Sequence, residues 1–247
     1  MRARGFRVSG AAAARRRREA GFRRWTAGGF LVASAAFCLP GAATAGTVAG
    51  TVALPAPQPE SRGASLYGKY GEHGEHTPEH AMAAPQGQGV ICLVPRSGTA
   101  PRVPRPAATM DQKDKQFVPR IVPVPVGGQV RFQNSDKLFH NVFSLSPAKK
   151  FDLGRNPQGH ARTLTFDQAG IVQVFCDIHP HMVGFVVVAP SPYFAVLGAD
   201  GDYRISDVPP GDYAVHIWGE GMTRMALVGD VTVPPVGKAA FNARLVN

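Results

Sequence analysis

Helical periodicity is missing from this 247-residue chain beyond its first 45 residues, which leaves an all-β fold as the expectation. Cysteine is scarce: of three, Cys38 lies in the N-terminal leader, so the remainder holds only Cys92 and Cys176. Two cysteines cannot build a disulfide framework, although a pair in an oxidising compartment defaults to one bridge. Beyond the leader, no apolar run is long enough to span a membrane. Excess positive charge is also lacking where a nucleic-acid surface would need it. The net +10 is concentrated in residues 1–45, with nine Arg and one Glu, which leaves +2 for the rest. No basic face interleaved with aromatics accompanies it, so nucleic acid is not expected as a partner. Residues 193–247 contain no paired carboxylates, no nucleophile–base arrangement and no phosphate-binding loop.

The leader itself is informative. Arg15, Arg16, Arg17, Arg18, Arg23 and Arg24 precede the apolar stretch Trp25 to Pro40, and Ala43-Thr44-Ala45 stands before Gly46. A charged region, an apolar region and an A-x-A site in that order are those of a signal peptide, expected over 1–45. An uncleaved anchor would need about 20 apolar residues. The run after Arg23-Arg24 is not the one that follows a twin-arginine pair, and Cys38 lacks the Leu a lipoprotein site requires. A periplasmic or secreted protein, with no stable membrane insertion after cleavage, is the expectation.

Residues 46–95 read as N-terminal strands, Thr47–Leu54 and Val90–Val94, separated by a Pro-, Gly-, Glu- and His-rich stretch too polar to fold alone. Residues 96–115, with Pro101, Pro104 and Pro106, read as a linker, and proline at that density excludes helix. From Gln116 onward short β-branched or alternating runs recur: Val122–Val126, Gln129–Phe132, Asn141–Leu145, Arg162–Phe166, Ile171–Phe175 and Gly184–Val188. Turn signals such as Gly127-Gly128 and Asn134-Ser135-Asp136 separate them, so 116–189 is expected to form a sandwich or barrel. Residues 191–247 continue in the same style, with strands expected at Tyr193–Leu197, Tyr203–Ile205, Tyr213–Trp218, Met225–Val233 and Ala239–Leu245.

The chemistry lies in Val174-Phe175-Cys176-Asp177-Ile178-His179-Pro180-His181-Met182. A thiolate, an imidazole and a thioether on one tight loop are soft and borderline donors, the set that suits copper cycling between two oxidation states. One loop cannot close the coordination plane alone, and His140, in Leu138-Phe139-His140-Asn141-Val142-Phe143, supplies a second imidazole. Cys176 as a core thiol and His179-Pro180-His181 as an exposed turn are the bland readings of the same residues. The joint spacing argues against both.

Over residues 116–189 the pattern resembles the cupredoxins, and Cys-x-x-His-x-x-Met is similar to the short-loop amicyanins rather than to plastocyanin. The resemblance implies a Greek-key β-sandwich holding one type 1 copper ion, with His140, Cys176 and His179 as equatorial ligands and Met182 as the axial one. It also implies an outer-shell role for Asn141, linking the two ligand loops. Zinc would prefer a carboxylate where this chain has a Met. His181 departs from the amicyanin pattern and is expected at the surface as an electron-entry residue, with a competing ligand as the other reading. His73, His76 and His80 form an auxiliary candidate for loose metal capture, against a solvated loop. His160 and His216 have no ligand context. With Cys176 on the metal, Cys92 is expected as a free, buried thiol.

Ala199-Asp200-Gly201-Asp202-Tyr203-Arg204-Ile205 and Val208-Pro209-Pro210-Gly211-Asp212-Tyr213 resemble the carboxypeptidase regulatory-like, transthyretin-like sandwich. The resemblance implies that 46–95 and 191–247 make one sandwich, with the copper module inserted in it or preceding it, and it implies fold rather than activity. The expected function is single-electron transfer between a redox donor and acceptor, with no catalysis because four protein ligands leave no open position. Contact is expected through the edge of His179 and the apolar surface around Pro180, Met182 and Val183. The alternatives are copper delivery or storage without a redox role, which the His tract would favour, and a metal-free scaffold.

Overall fold

The computed structural model describes residues 45–55, 89–101, 103 and 105–245. The expected signal peptide, the His73, His76 and His80 tract, and the linker residues Arg102 and Pro104 lie outside the described residues. Every described residue belongs to one unit, Ala42–Asn247. Among the described residues there is no helix, and none is therefore long and apolar enough to cross a membrane.

Seventeen strands follow one another. They are β1 (Gly46–Ala53), β2 (Gly89–Pro95), β3 (Ala108–Lys113), β4 (Gln116–Val118), β5 (Ile121–Pro125), β6 (Gly128–Asn134), β7 (Phe143–Ser144), β8 (Phe151–Asp152) and β9 (Ala161–Phe166). The rest are β10 (Gly170–Phe175), β11 (Val183–Ala189), β12 (Tyr193–Val196), β13 (Asp202–Val208), β14 (Gly211–Gly219), β15 (Ala226–Val233), β16 (Lys238–Ala240) and β17 (Ala243–Arg244). They form four sheets, and the all-β architecture expected from the sequence is the observed one.

Two sheets, β13-β1-β16 with β17 also on β1, and β12-β2-β14-β15, enclose a core that includes Val48, Ile91, Leu93, Ile205, Tyr213, Val215 and Ile217. The other two, β5-β11-β10-β7-β8 and β4-β3-β6-β9, enclose Met110, Phe132, Phe166, Val172, Val174, Val186 and Val188, together with Cys176 and Met182. Alternation assigns the faces. In β11, Val186 and Val188 enter the second core, while Phe185 and Val187 turn to a third cluster with Val90, Ile121 and Trp218. That cluster joins the outer faces of β5 and β11 to those of β2 and β14.

Besides the short strands β4 and β8, which were not expected, three stretches differ from the expected strands. Ala108–Lys113, expected as linker, is β3; it contains no proline, and it buries Met110 and Gln112 while pairing with β4 and β6. Asn141–Leu145 shrinks to β7 because the backbone before it is committed elsewhere: the Asn141 amide turns to Cys176 Sγ and the Val142 carbonyl accepts from Leu153. Ala239–Leu245 is split into β16 and β17, since Phe241 O accepts the Tyr203 hydroxyl at 2.8 Å and Asn242 Oδ1 accepts the Thr51 amide at 2.8 Å.

Candidate metal centre

The loop bearing His140 is built by two buried asparagines. Asn134 Nδ2 donates to the carbonyls of Leu138 (2.8 Å) and Asn156 (2.7 Å), and Asn134 Oδ1 accepts the Asp136 amide at 2.9 Å. Asn156 then pairs its backbone with that of His140 in both directions. The second loop follows β10. Cys176 is the residue after the Phe175–Val183 pair that closes the β10–β11 ladder, and the Met182 amide donates to the His179 carbonyl at 2.9 Å, which tightens the turn.

These loops bring three donor atoms together. His140 Nδ1 and His179 Nδ1 lie 3.0 Å apart, and Cys176 Sγ lies 3.9 Å from the first and 3.8 Å from the second. A triangle with those sides has a circumradius of about 2.1 Å, within the range of about 2.0–2.3 Å for metal–imidazole and metal–thiolate bonds in zinc sites. His140 and Cys176 are buried and His179 is partly buried. Among the described residues this is the one group of three or more His, Cys, Asp or Glu with such spacing, and no carboxylate belongs to it. Met182, 1% exposed, sits in the same core cluster as Cys176 and adds a thioether to the neighbourhood. A His/Cys/His set with a buried Met nearby fits copper better than zinc, which would favour a carboxylate or a second thiolate as fourth donor.

The far side of His140 is as ordered as its near side. Asp136 Oδ2 lies 2.7 Å from His140 Nε2, so a proton on Nε2 donated to the carboxylate leaves the Nδ1 lone pair facing the cluster. Asp136 is held in turn by the amides of Asp114 (2.7 Å) and Lys115 (2.9 Å). Both residues have positive φ, 54° and 55°, in the two-residue connection between β3 and β4. Burial alone would raise the Asp136 carboxyl, but the Lys115 amide, the His140 ring and the Asp114 amide together hold it below its ordinary value. The His179 imidazole is also held below its ordinary value, first by burial and then by the positive charges of His140, Lys115 and His181, with Asp136 opposing. A lowered value keeps that ring neutral, the form that can ligate.

Asn141 reaches Cys176 Sγ through its backbone amide, at 3.4 Å, and its buried side-chain Oδ1 has no hydrogen-bond partner among the described residues. His181 is exposed, its ring 6.1 Å from that of His179. The apolar surface differs from the expected one: Met182 is buried and Val183 half-buried, so Met182 contributes no surface. Leu138, Phe139 and Ile178 are exposed instead, with Pro180. Among the described residues Cys92 is free and buried, and no bridge joins it to Cys176. His160 is exposed and His216 half-buried, away from any donor group of three. In the sequence Asp136 stands in the turn signal Asn134-Ser135-Asp136. Its place four residues before a ligand-type His was the available signal.

No protein-family profile matches the chain, and no curated protein matches it. Solved structures do. A copper-containing nitrite reductase from Thermus scotoductus SA-01 is 24% identical, with 38% of this chain covered and a TM-score of 0.33. This chain spans about a quarter of that protein, 25% of its length. A purple cupredoxin from Nitrosopumilus maritimus is 24% identical over 33% of this chain and 99% of its own, with a TM-score of 0.31. A reduced amicyanin variant is 26% identical over 40% of this chain and 97% of its own, with a TM-score of 0.32.

Proposed function

We propose that this protein is an exported single-electron carrier whose His140, Cys176 and His179 hold one copper ion, with Met182 as a weak fourth donor. The observation that carries the reading is the donor triangle, whose three atoms can share one centre at bonding distance. When bound, copper in such a set would supply a one-electron couple, tuned by the weak thioether donor. The protein's own part is to keep the donors still. His140 is locked from behind by Asp136, Cys176 Sγ accepts the Asn141 amide, and both ligands are buried, so the donors need little rearrangement between states. A sphere filled by four side chains leaves no position for substrate, which supports a carrier over an enzyme. His179 alone of the three is partly exposed, and Leu138, Phe139, Ile178 and Pro180 flank the two ligand segments at the surface. A small apolar patch of that kind suits brief encounters with a redox donor and an acceptor. The leader pattern of residues 1–45 supports export.

The test is the visible and electron paramagnetic resonance spectrum of the full mature chain loaded with Cu(II). An intense thiolate-to-copper band with narrow hyperfine splitting is expected, lost in Cys176→Ser. A colourless protein, or a Cys176→Ser variant with the same spectrum, would sink the assignment. A coloured protein that does not cycle reversibly at an electrode would favour copper delivery.

A further inference from the structure

Arg120 lies in the connection between β4 and β5, and all three nitrogens of its guanidinium are engaged. Nη1 donates to the Val183 carbonyl at 2.8 Å, Nε donates to Glu220 Oε2 at 3.2 Å, and Nη2 bonds Glu220 Oε1. The group also stacks over the Phe185 ring, 5.5 Å from its centroid, and the Arg120 carbonyl accepts the Phe185 amide at 2.8 Å. Val183 directly follows Met182. Glu220 belongs to the other sandwich, in the connection between β14 and β15, and its turn is anchored: the Met222 amide donates to Gly219 O, and the fully buried Trp218 donates its indole N–H to Met222 O at 2.7 Å.

We infer that Glu220, acting through Arg120, is a positioning residue for the metal centre, fixing the Met182–Val183 segment and with it the approach of the Met182 thioether. The inference rests on the copper reading above. Short, strong bonds to a thiolate and two imidazoles can draw their donors into place, whereas a long, weak thioether contact is set by the protein around it. A carbonyl held by a guanidinium fixes its own residue, Val183, and so limits the freedom of Met182, whose Cα is one peptide and about 3.8 Å from that of Val183. The pair is two-thirds or more buried, at 31% and 25% exposure, and its two-pronged geometry resists the solvent competition that weakens open surface pairs. The sandwich that contributes no donor thereby supplies the outer support of the fourth one.

The experiment uses the full mature chain with Cu(II) and the variants Glu220→Gln, Glu220→Ala and Arg120→Lys, each also made in a Met182→Ala background. The expected result is a retained thiolate-to-copper band with altered relative intensity of its components. The oxidised-to-reduced ratio at fixed poise should change about threefold to tenfold, the direction depending on whether the thioether moves in or out. In the Met182→Ala background the same substitutions should add nothing to spectrum or potential, because the group they position is gone. Glu220→Gln keeps shape and one acceptor, so it reports even if Glu220→Ala folds poorly. Variants that lower thermal stability while leaving spectrum and potential at wild-type values would overturn the inference, reducing the pair to a link between sandwiches. A wild-type protein without the band would instead fail the copper reading.

Discussion

The two ring nitrogens of His140 meet different groups: Nδ1 faces Cys176 and His179, and Nε2 meets Asp136. The carboxylate selects the ring's proton position, and two turn amides aim the carboxylate. Replacing Asp136 by Ala returns the two exposed amides to water but removes the acceptor for the buried Nε2, a loss of about 1–3 kcal/mol for an unpaired buried group. We expect Asp136→Ala to weaken Cu(II) affinity about 10- to 100-fold, and Asp136→Asn, which retains an acceptor oxygen, to fall between it and wild type. Competition titration against a chelator measures this. An Asp136→Ala protein of wild-type affinity would show that His140 needs no support from behind. This contact was only half legible in sequence. Asp136 was visible as a turn residue, but the meeting of its carboxylate with the ring depends on the hairpin at Asp114–Lys115 that aims it.

At the scale of elements, β2 shows why an uninterrupted apolar run signals a strand covered on both faces. Ile91 and Leu93 face the first core, while Val90 faces the cluster between the sandwiches. Cys92 lies on that second side with its thiol 4.0 Å from the Ser191 carbonyl, and burial pushes it from its ordinary 9.0 up to about 12. The folded chain therefore keeps a proton that the unfolded chain releases. Stability from this group is whole below pH 9 and is lost as pH rises toward 12, at about 1.4 kcal/mol per pH unit. Tyr203, also pushed up to about 12 by burial, acts in the same direction in any variant. The expected outcome is a decline of the urea midpoint above about pH 9 that is shallower in Cys92→Ala than in wild type. Parallel declines would refute it. Close approach explains β1 in the same way. A Cβ on Gly50 would stand 2.0 Å from the Phe241 carbonyl, so the small alternating residues of Thr47–Leu54 allow the break between β16 and β17 to lie against the strand.

For the whole molecule, the decisive layer is the cluster of Val90, Ile121, Phe185, Val187 and Trp218, because it belongs to both sandwiches. Trp218 is fully buried there, its ring centroid 5.1 Å from that of Phe185. Truncation to Ala is expected to cost about 3–5 kcal/mol in chemical denaturation, the range for large aromatic losses in cores. The two sandwiches should lose stability together, read by tryptophan-independent circular dichroism and by loss of the copper band. A variant in which the band outlasts the secondary structure of the other sandwich would show that the layer does not couple them.

By itself the sequence determined what depends on near neighbours: an all-β chain, most strand positions, the turns, and a set of donor types at spacings that favour copper. These follow from side-chain alternation, from the φ limits of Gly and Pro, and from ligand chemistry, all of which act over a few residues. Tertiary structure alone decided the rest. It set Nδ1 against Nδ1 at 3.0 Å from positions 39 apart, put Asp136 behind His140, buried Met182 rather than exposing it, and joined Arg120 to Glu220 across 100 residues. It also drew Ala108–Lys113 out of a proline-rich stretch into β3, since a strand there depends on the β6 edge it meets. Contacts of that kind arise from which sheets stack and which loops close, and no local pattern records them.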